Sequence, residues 1–201
     1  MKKLILALSF TVACSSIALA QATPAASRLG DLQVGATFTN ANPEAVPHRI
    51  NGYGFYSDFD FRRHIGVEVD FHQLNDHQGL SENQIYERSY EAGGRYFWNF
   101  GRFKPYGKGL YGRGVFNYPV VTDQAGFSYR PNLAYNMLVL GGGVDIAVQK
   151  HINVRAEYEY QRWFGYNTDP QITPSFISPL TPTLLTVGVA YHFPPGKARR
   201  R

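Results

Sequence analysis

The stretch that decides the fold is Ile152-Asn153-Val154-Arg155-Ala156-Glu157-Tyr158-Glu159-Tyr160-Gln161. Its even-numbered residues are all apolar or aromatic, and its odd-numbered residues are all polar or charged. Successive side chains of a β-strand point to opposite faces. The alternation therefore predicts a strand with one apolar face and one charged face.

The same alternation recurs along the rest of the chain. Six further segments show it, at residues 32–38, 53–61, 65–72, 86–96, 138–148 and 185–193. A Gly-rich segment at 103–116 adds another strand, whose register stays open because Lys108 and Arg113 fall on opposite faces. The sequence therefore predicts an all-β protein with eight strands.

The connections between these segments alternate in length. Long connections cover about 40–51, 75–83, 117–133 and 164–181, and short ones cover 62–64, 98–102 and 149–151. Strict alternation places all long loops at one end of the protein. This layout is typical of an antiparallel up-and-down transmembrane β-barrel, for which eight strands is the smallest bacterial size.

Composition excludes several other classes of protein. Aromatic residues make up 15% of the 201 residues and charged residues 17%, which argues against intrinsic disorder and against a helical bundle. Residues 31–193 hold 13 basic and 15 acidic residues, because much of the basic charge lies near the chain ends. Without a basic stripe in the body, the sequence predicts no nucleic-acid partner.

The N-terminal segment has the features of a secretory signal peptide. Met1-Lys2-Lys3 is positive, Leu4 to Ala13 is apolar, and Ala18-Leu19-Ala20 is a small-residue cleavage motif. A lipoprotein signal cut before Cys14 is the alternative, but it lacks a large aliphatic residue three positions earlier. The predicted organisation is a signal peptide at 1–20, a periplasmic lead at 21–30, the barrel at 31–193 and a basic periplasmic tail at 194–201.

Period-two alternation alone does not say which face points inward. A soluble lipocalin-like barrel turns its apolar face inward, whereas a membrane barrel turns it to lipid. The polar face carries repeated glycines, which suits a narrow interior. Aromatic residues on the apolar face lie near strand ends, as in the girdles of membrane barrels, and the segments have the required length of about 9–11 residues.

Several segments resemble a known family. Tyr56 to Glu68, Gly141-Gly142-Gly143-Val144-Asp145 and Arg155-Ala156-Glu157-Tyr158 are similar to the outer-membrane protein beta-barrel domain family, which includes small OmpA-like, porin-family barrels. Residues 186–193 look like the family's C-terminal assembly signal, carried by Thr186, Gly188, Tyr191 and Phe193. The resemblance implies location in the outer membrane, with membrane lipid and the assembly machinery as partners. We expect a monomer.

The charged face then lines the barrel interior. The predicted interior charge network comprises Asp58, Asp60, Glu68, Asp70, Glu87, Glu91, Arg95, Asp145, Arg155, Glu157 and Glu159, with Lys108 or Arg113 as a further cation. Because eight strands leave little room beyond their own side chains, we expect a largely plugged interior and a structural or surface-interaction role. A narrow porin-like channel for small solutes is the alternative.

Enzymatic and metal chemistry find less support. The second long loop and its approach, His72 to Asn83, contain His, Asp and Ser, the residue types of a lipid A-modifying hydrolase at the outer rim. Any aqueous loop contains such residues, so we expect no enzyme and no catalytic residue. His72 and His77 lack a clear third metal ligand. We therefore expect neither a metal nor a cofactor.

Overall fold

The computed structural model describes residues 30–44, 46–76, 85–118, 120–122, 126–130, 132–165 and 180–194. Eight long antiparallel strands close into a barrel, which confirms the predicted fold. Each long strand pairs with its predecessor along the chain, and the last pairs with the first. Their bounds are β1 Asp31–Asn42, β2 Ile50–Asp60, β3 Ile65–Asn75, β4 Tyr86–Phe97, β5 Phe103–Asn117, β8 Asn132–Gln149, β9 Ile152–Phe164 and β10 Thr183–Phe193.

One predicted loop contains additional structure. Within the connection between β5 and β8, β6 (Val121–Thr122) and β7 (Ser128–Tyr129) form a short antiparallel pair. Two-residue strands are too short to carry an alternation pattern, so the sequence gives no sign of them. In the part of the chain that the structure describes, no helix is long and apolar enough to cross a membrane.

The two ends of the barrel differ. At one end, here the turn end, the connections are short, between Asp60 and Ile65, Phe97 and Phe103, and Gln149 and Ile152. All longer connections lie at the opposite end, here the loop end. The first residues of β1 and the last residues of β10 also lie at the turn end, where Leu32 pairs with Phe193.

In the turn-end half of the barrel the strands turn their polar faces inward. On β9 the odd-numbered residues from Asn153 to Trp163 are buried, and the even-numbered residues from Ile152 to Arg162 are exposed. Strand β5 follows the same rule: Lys108, level with Arg95 of β4 and Gly141 of β8, points inward, and Arg113 points outward. The pairing with both neighbours therefore fixes the register that the sequence left open.

The outer surface is an apolar belt. Large hydrophobic side chains from all eight long strands are exposed on it, among them Val34, Phe55, Val69, Tyr90, Tyr111, Leu140, Tyr158 and Val189. The side chain of Leu140, for example, belongs to a residue that is 67% exposed. In water such a belt would be unstable as a monomer surface, whereas hydrocarbon is its natural solvent.

Candidate functional site

The barrel interior is the candidate site, and its turn-end half is filled by charges. We call this group the charge layer: Asp58, Glu68, Asp70, Arg95, Lys108, Asp145, Arg155, Glu157 and Glu159. All are buried, and they come from β2, β3, β4, β5, β8 and β9. Inward positions of opposite strands converge here because the bore is only wide enough for side chains.

Arg155 connects its own strand, β9, to three others across the bore. Its Nε donates to Asp145 Oδ1 at 2.8 Å, its Nη2 donates to Asp58 Oδ2 at 2.5 Å, and its Nη1 lies 3.3 Å from Glu68 Oε1. The guanidinium also lies over the Tyr56 ring, 3.7 Å from its centroid. A planar guanidinium with five N–H donors is suited to this kind of multiple pairing.

Arg95 binds the same carboxylates from the other side. Its Nη1 contacts Asp58 and donates to Glu68 Oε2 at 3.1 Å, and its Nη2 donates to Asp145 Oδ2 at 2.8 Å. Two arginines thus share three carboxylates, which is the arrangement that buried charges require.

Lys108 pairs with the carboxylates of the charge layer that lie nearer the loop end. Its Nζ lies within salt-bridge distance of four carboxylates, at 2.7 Å from Glu68, 2.6 Å from Asp70, 2.9 Å from Glu157 and 2.5 Å from Glu159. One ammonium cannot neutralise four carboxylates, so this level carries surplus negative charge.

The turn-end mouth is open as far as the charge layer. A cavity of about 390 Å³ there is lined by residues that include Lys104, Asp145, Asn153 and His192. Lys104 pairs with Asp60 at 2.6 Å. The cavity reaches Asp145, which is held by both arginines.

The loop-end half of the interior is apolar, which the sequence analysis missed. We call this group the apolar plug: Ala41, Val46, Ile50, Leu74, Ile85, Leu110, Phe116, Leu133, Tyr135, Met137, Val139, Trp163, Leu180 and Leu184. Trp163 and Tyr135 are fully buried, and their rings pack at a tilt of 57° with centroids 5.6 Å apart. Residues from seven of the eight long strands, all except β4, and from three loop positions therefore meet in one cluster.

Hydrogen bonds attach the apolar plug to the polar level below it. Trp163 Nε1 donates to Gln161 Oε1 at 2.9 Å, and Gln161 Nε2 donates to Glu91 Oε1 at 3.1 Å. At the top, the Tyr118 and Tyr135 hydroxyls are hydrogen-bonded at 2.7 Å. Burial and this hydrogen bond raise the pKa of the Tyr118 phenol, so it stays neutral.

All eleven residues of the predicted interior network lie buried on inward faces. Nine of them are carboxylates, and Lys108 joins Arg95 and Arg155 as the third fully buried cation among the described residues. Arg113, the other candidate cation, lies outside the network because it faces outward. Asp60 lies nearest the turn end, beside Lys104. Glu87 lies nearest the loop end, level with Leu74 and Phe116.

The remaining predicted sites lie elsewhere. Of the assembly-signal residues, Thr186 and Gly188 face inward, whereas Tyr191 and Phe193 pack against each other with ring centroids 4.6 Å apart. Of the candidate hydrolase segment, His72 is buried inside the barrel rather than at the rim. His77 and Ser81 lie outside the described residues.

A closed antiparallel barrel with an apolar belt outside and charged side chains inside defines a transmembrane β-barrel of the bacterial outer-membrane type. Comparison with known families agrees with this class. The Outer membrane protein beta-barrel domain family matches residues 5–193, and the chain belongs to that family. Membership places the protein in the cell outer membrane. In barrels of this type the short turns face the periplasm and the longer loops face the outside of the cell.

Solved structures show the same fold at low sequence identity. Neisserial surface protein A (NspA) is 16% identical, with 80% of this chain and 95% of that chain covered and a TM-score of 0.58. OprG of Pseudomonas aeruginosa is 15% identical, with 83% and 97% covered and a TM-score of 0.57. Ail, the attachment invasion locus protein of Yersinia pestis, solved with the heparin analogue sucrose octasulfate, is 16% identical, with 81% and 98% covered and a TM-score of 0.53. A comparison with curated proteins finds no match.

Proposed function

We propose that this protein is a closed outer-membrane barrel with a structural or surface-interaction role, and that it neither conducts solutes steadily nor performs covalent chemistry. The observation that carries this proposal is the stacking of two different barriers in one bore. The charge layer crosses the periplasmic half, and the apolar plug crosses the extracellular half.

Each barrier blocks a different kind of solute. Trp163, Tyr135 and Met137 are fully buried in the apolar plug, and an ion entering there would lose its hydration without gaining a partner. Arg95 and Arg155 are each bound to several carboxylates, and an apolar solute would have to separate these pairs. A narrow porin-like channel, the second candidate, needs both barriers to open together.

Liposome swelling tests the closed state. We expect proteoliposomes that contain the folded barrel to swell in a pentose or amino-acid solution no faster than lipid-only liposomes. An open porin, reconstituted in parallel, shows that the assay detects passage. Swelling above the lipid-only rate would favour the channel.

The extracellular end supports the surface role. Three arginines face outward near the loop end: Arg88 on β4, Arg113 on the neighbouring β5, and Arg162 on β9, beyond the intervening β8. Arg88 pairs in register with Val115, two residues beyond Arg113, so the two arginines are diagonal neighbours. No acidic side chain on the described long strands faces outward near them. Such a patch suits the phosphate groups of outer-leaflet lipid.

This lipid contact is testable in vesicles with and without lipopolysaccharide. We expect lipopolysaccharide to raise the unfolding midpoint of the wild type, and Arg113→Gln with Arg88→Gln to remove most of that increase. Lys150→Gln, at the periplasmic end, is the matched control. If lipopolysaccharide raises the unfolding midpoint equally in the wild type and in all variants, the arginines do not bind it.

The proposal also covers export and partners. The predicted signal peptide would direct export, and the assembly machinery would insert the monomeric barrel through the signal at Thr186, Gly188, Tyr191 and Phe193. If no rim hydrolase exists, His77→Ala and Ser81→Ala leave the lipid A acylation pattern of expressing cells unchanged. A changed pattern would support the hydrolase instead.

A further inference from the structure

Where the charge layer meets the apolar plug, a histidine lies near three carboxylates, two of which belong to the charge layer. We call these four side chains the His72 cluster: Asp70, His72, Glu91 and Glu159. One ligand atom from each lies within 4.8 Å of the others, and every side chain is at most 3% exposed. The residues come from β3, β4 and β9, which enclose the bore at this level.

The imidazole of His72 is oriented as a ligand. Its Nδ1 lies 3.4 Å from Thr39 Oγ1, which is 2.9 Å from Thr186 Oγ1. When Nδ1 donates to Thr39, Nε2 carries a lone pair directed at the carboxylates. Among the described residues Nε2 has no hydrogen-bond partner, and Glu159 Oε2 is 4.0 Å away. Metal-binding histidines are commonly oriented by such a bond at the second nitrogen.

In two of the carboxylates, one oxygen accepts hydrogen bonds and the other oxygen has no partner among the described residues. Glu91 Oε1 accepts from Ser89 Oγ at 2.8 Å and from Gln161 Nε2 at 3.1 Å, whereas Glu91 Oε2 has no partner in the described chain. Asp70 Oδ2 accepts from Lys108 at 2.6 Å, and Asp70 Oδ1 is likewise unpartnered there. A buried acceptor without a donor is costly, unless an ion occupies the position facing it.

Charge points to the same conclusion. When its three carboxylates are ionised and its imidazole is neutral, the cluster carries three negative charges, of which Lys108 offsets at most one, because it also pairs with Glu68 and Glu157. At least two negative charges remain. A lone pair on His72 Nε2 beside these carboxylates is repulsive, and a divalent cation between them removes both problems.

We propose that the His72 cluster binds one divalent ion of a first-row transition metal, for which Zn²⁺ is the probe. One nitrogen and up to three carboxylate oxygens form a donor set typical of Zn²⁺ and unsuited to Mg²⁺ or Ca²⁺, which prefer oxygen alone. Ligand atoms around tetrahedral Zn²⁺ lie roughly 3.4 Å apart, given bonds of about 2.1 Å. The four ligand atoms, now within 4.8 Å of one another, would move closer together on binding.

The bound ion would cross-link three strands at mid-height of the barrel. It would connect β3, β4 and β9 across the bore, immediately below the Gln161 and Trp163 side chains that attach the apolar plug. The inference concerns this level alone, and it holds whether or not the barrel conducts.

The test is metal content after folding. Because the cluster is buried, the protein is refolded from urea into detergent micelles with excess Zn²⁺, Mg²⁺ or Ca²⁺, desalted, and analysed by mass spectrometry for bound metal. We expect about one Zn²⁺ per chain, as the site has one set of ligands, and neither of the other ions. Co²⁺ in place of Zn²⁺ gives a visible absorption spectrum that reports nitrogen and oxygen ligation.

Variants separate this site from surface histidines. His72→Gln and Glu91→Gln keep side-chain size and should lose the ion, whereas His151→Gln and Glu44→Gln, at the two exposed ends, should retain it. Thr39→Val keeps all four ligands and should weaken binding about 10-fold to 100-fold. Heat-dependent gel mobility confirms that each variant is folded.

Two results would overturn the proposal. Equal retention of Zn²⁺ by wild type and by His72→Gln, or by Glu91→Gln where His72→Gln does not fold, would show adventitious surface binding only. Absence of retained Zn²⁺ in the folded wild type would show that shared protons satisfy the cluster.

Discussion

Gly114 lies directly against the indole of Trp163: a Cβ atom added at Gly114 would fall 2.3 Å from Trp163 Cη2. The two residues face inward from β5 and β9, on opposite sides of the intervening strand β8. The largest side chain of the apolar plug therefore fits because its neighbour has no side chain.

Substitution of Gly114 should destabilise the barrel. Because Trp163 is fully buried and cannot move freely, we expect Gly114→Val to lower the free energy of unfolding by about 1–3 kcal/mol, as overpacking does. Urea unfolding in micelles, followed by Trp fluorescence, measures the change. Gly109→Ala on the same strand is the control, since its Cβ would meet only Leu140 Cδ2 at an ordinary 3.9 Å.

The arginine at the centre of the charge layer should be needed for stability. Arg155→Met keeps much of the volume but leaves Asp58 and Asp145 short of a partner, which costs about 3–5 kcal/mol for a buried pair. Arg162→Met, the outward neighbour on β9, should change stability little. If both variants unfold at the same urea concentration, the charge layer is not a stabilising element.

Addition of Asp145→Asn refines this test. Removing one of the unpaired charges should restore part of the stability lost in Arg155→Met, because the remaining charges are then closer to balance. Additive losses in the double variant would contradict direct coupling between the two residues.

The predicted assembly signal has its own test. Phe193→Asn should lower the amount of folded barrel in the outer membrane several-fold, because Phe193 is the terminal aromatic residue of the predicted signal. Truncation after Pro194 should leave that amount unchanged. The measurement is the fraction that migrates differently on gels with and without heating; a loss on truncation alone would move the signal into the tail.

Much of the fold could be predicted from the alternation in β9 and its repeats, because a side-chain period of two fixes which residues share a face. The Gly-rich strand β5 could be located, but its register could not be fixed, because its small residues give little contrast between faces. Its register follows from pairing with Arg95 on one side and Gly141 on the other.

The interior was only half predictable. Strand β9 shows why: its inward face runs from Arg155 through Glu159 and Gln161 to the fully buried Trp163. The change from charged to apolar occurs along one face, and alternation does not reveal it. The His72 cluster was missed because its ligands come from three strands and meet only when the barrel closes.

Single-channel recording tests the central claim, a bore closed by two barriers, most directly. The folded protein is inserted into a planar lipid bilayer in concentrated KCl, with an open porin as the control for insertion. We predict no steady conductance above that of the bare bilayer. Reproducible, steady current steps from the wild type would contradict the closed bore and establish a channel.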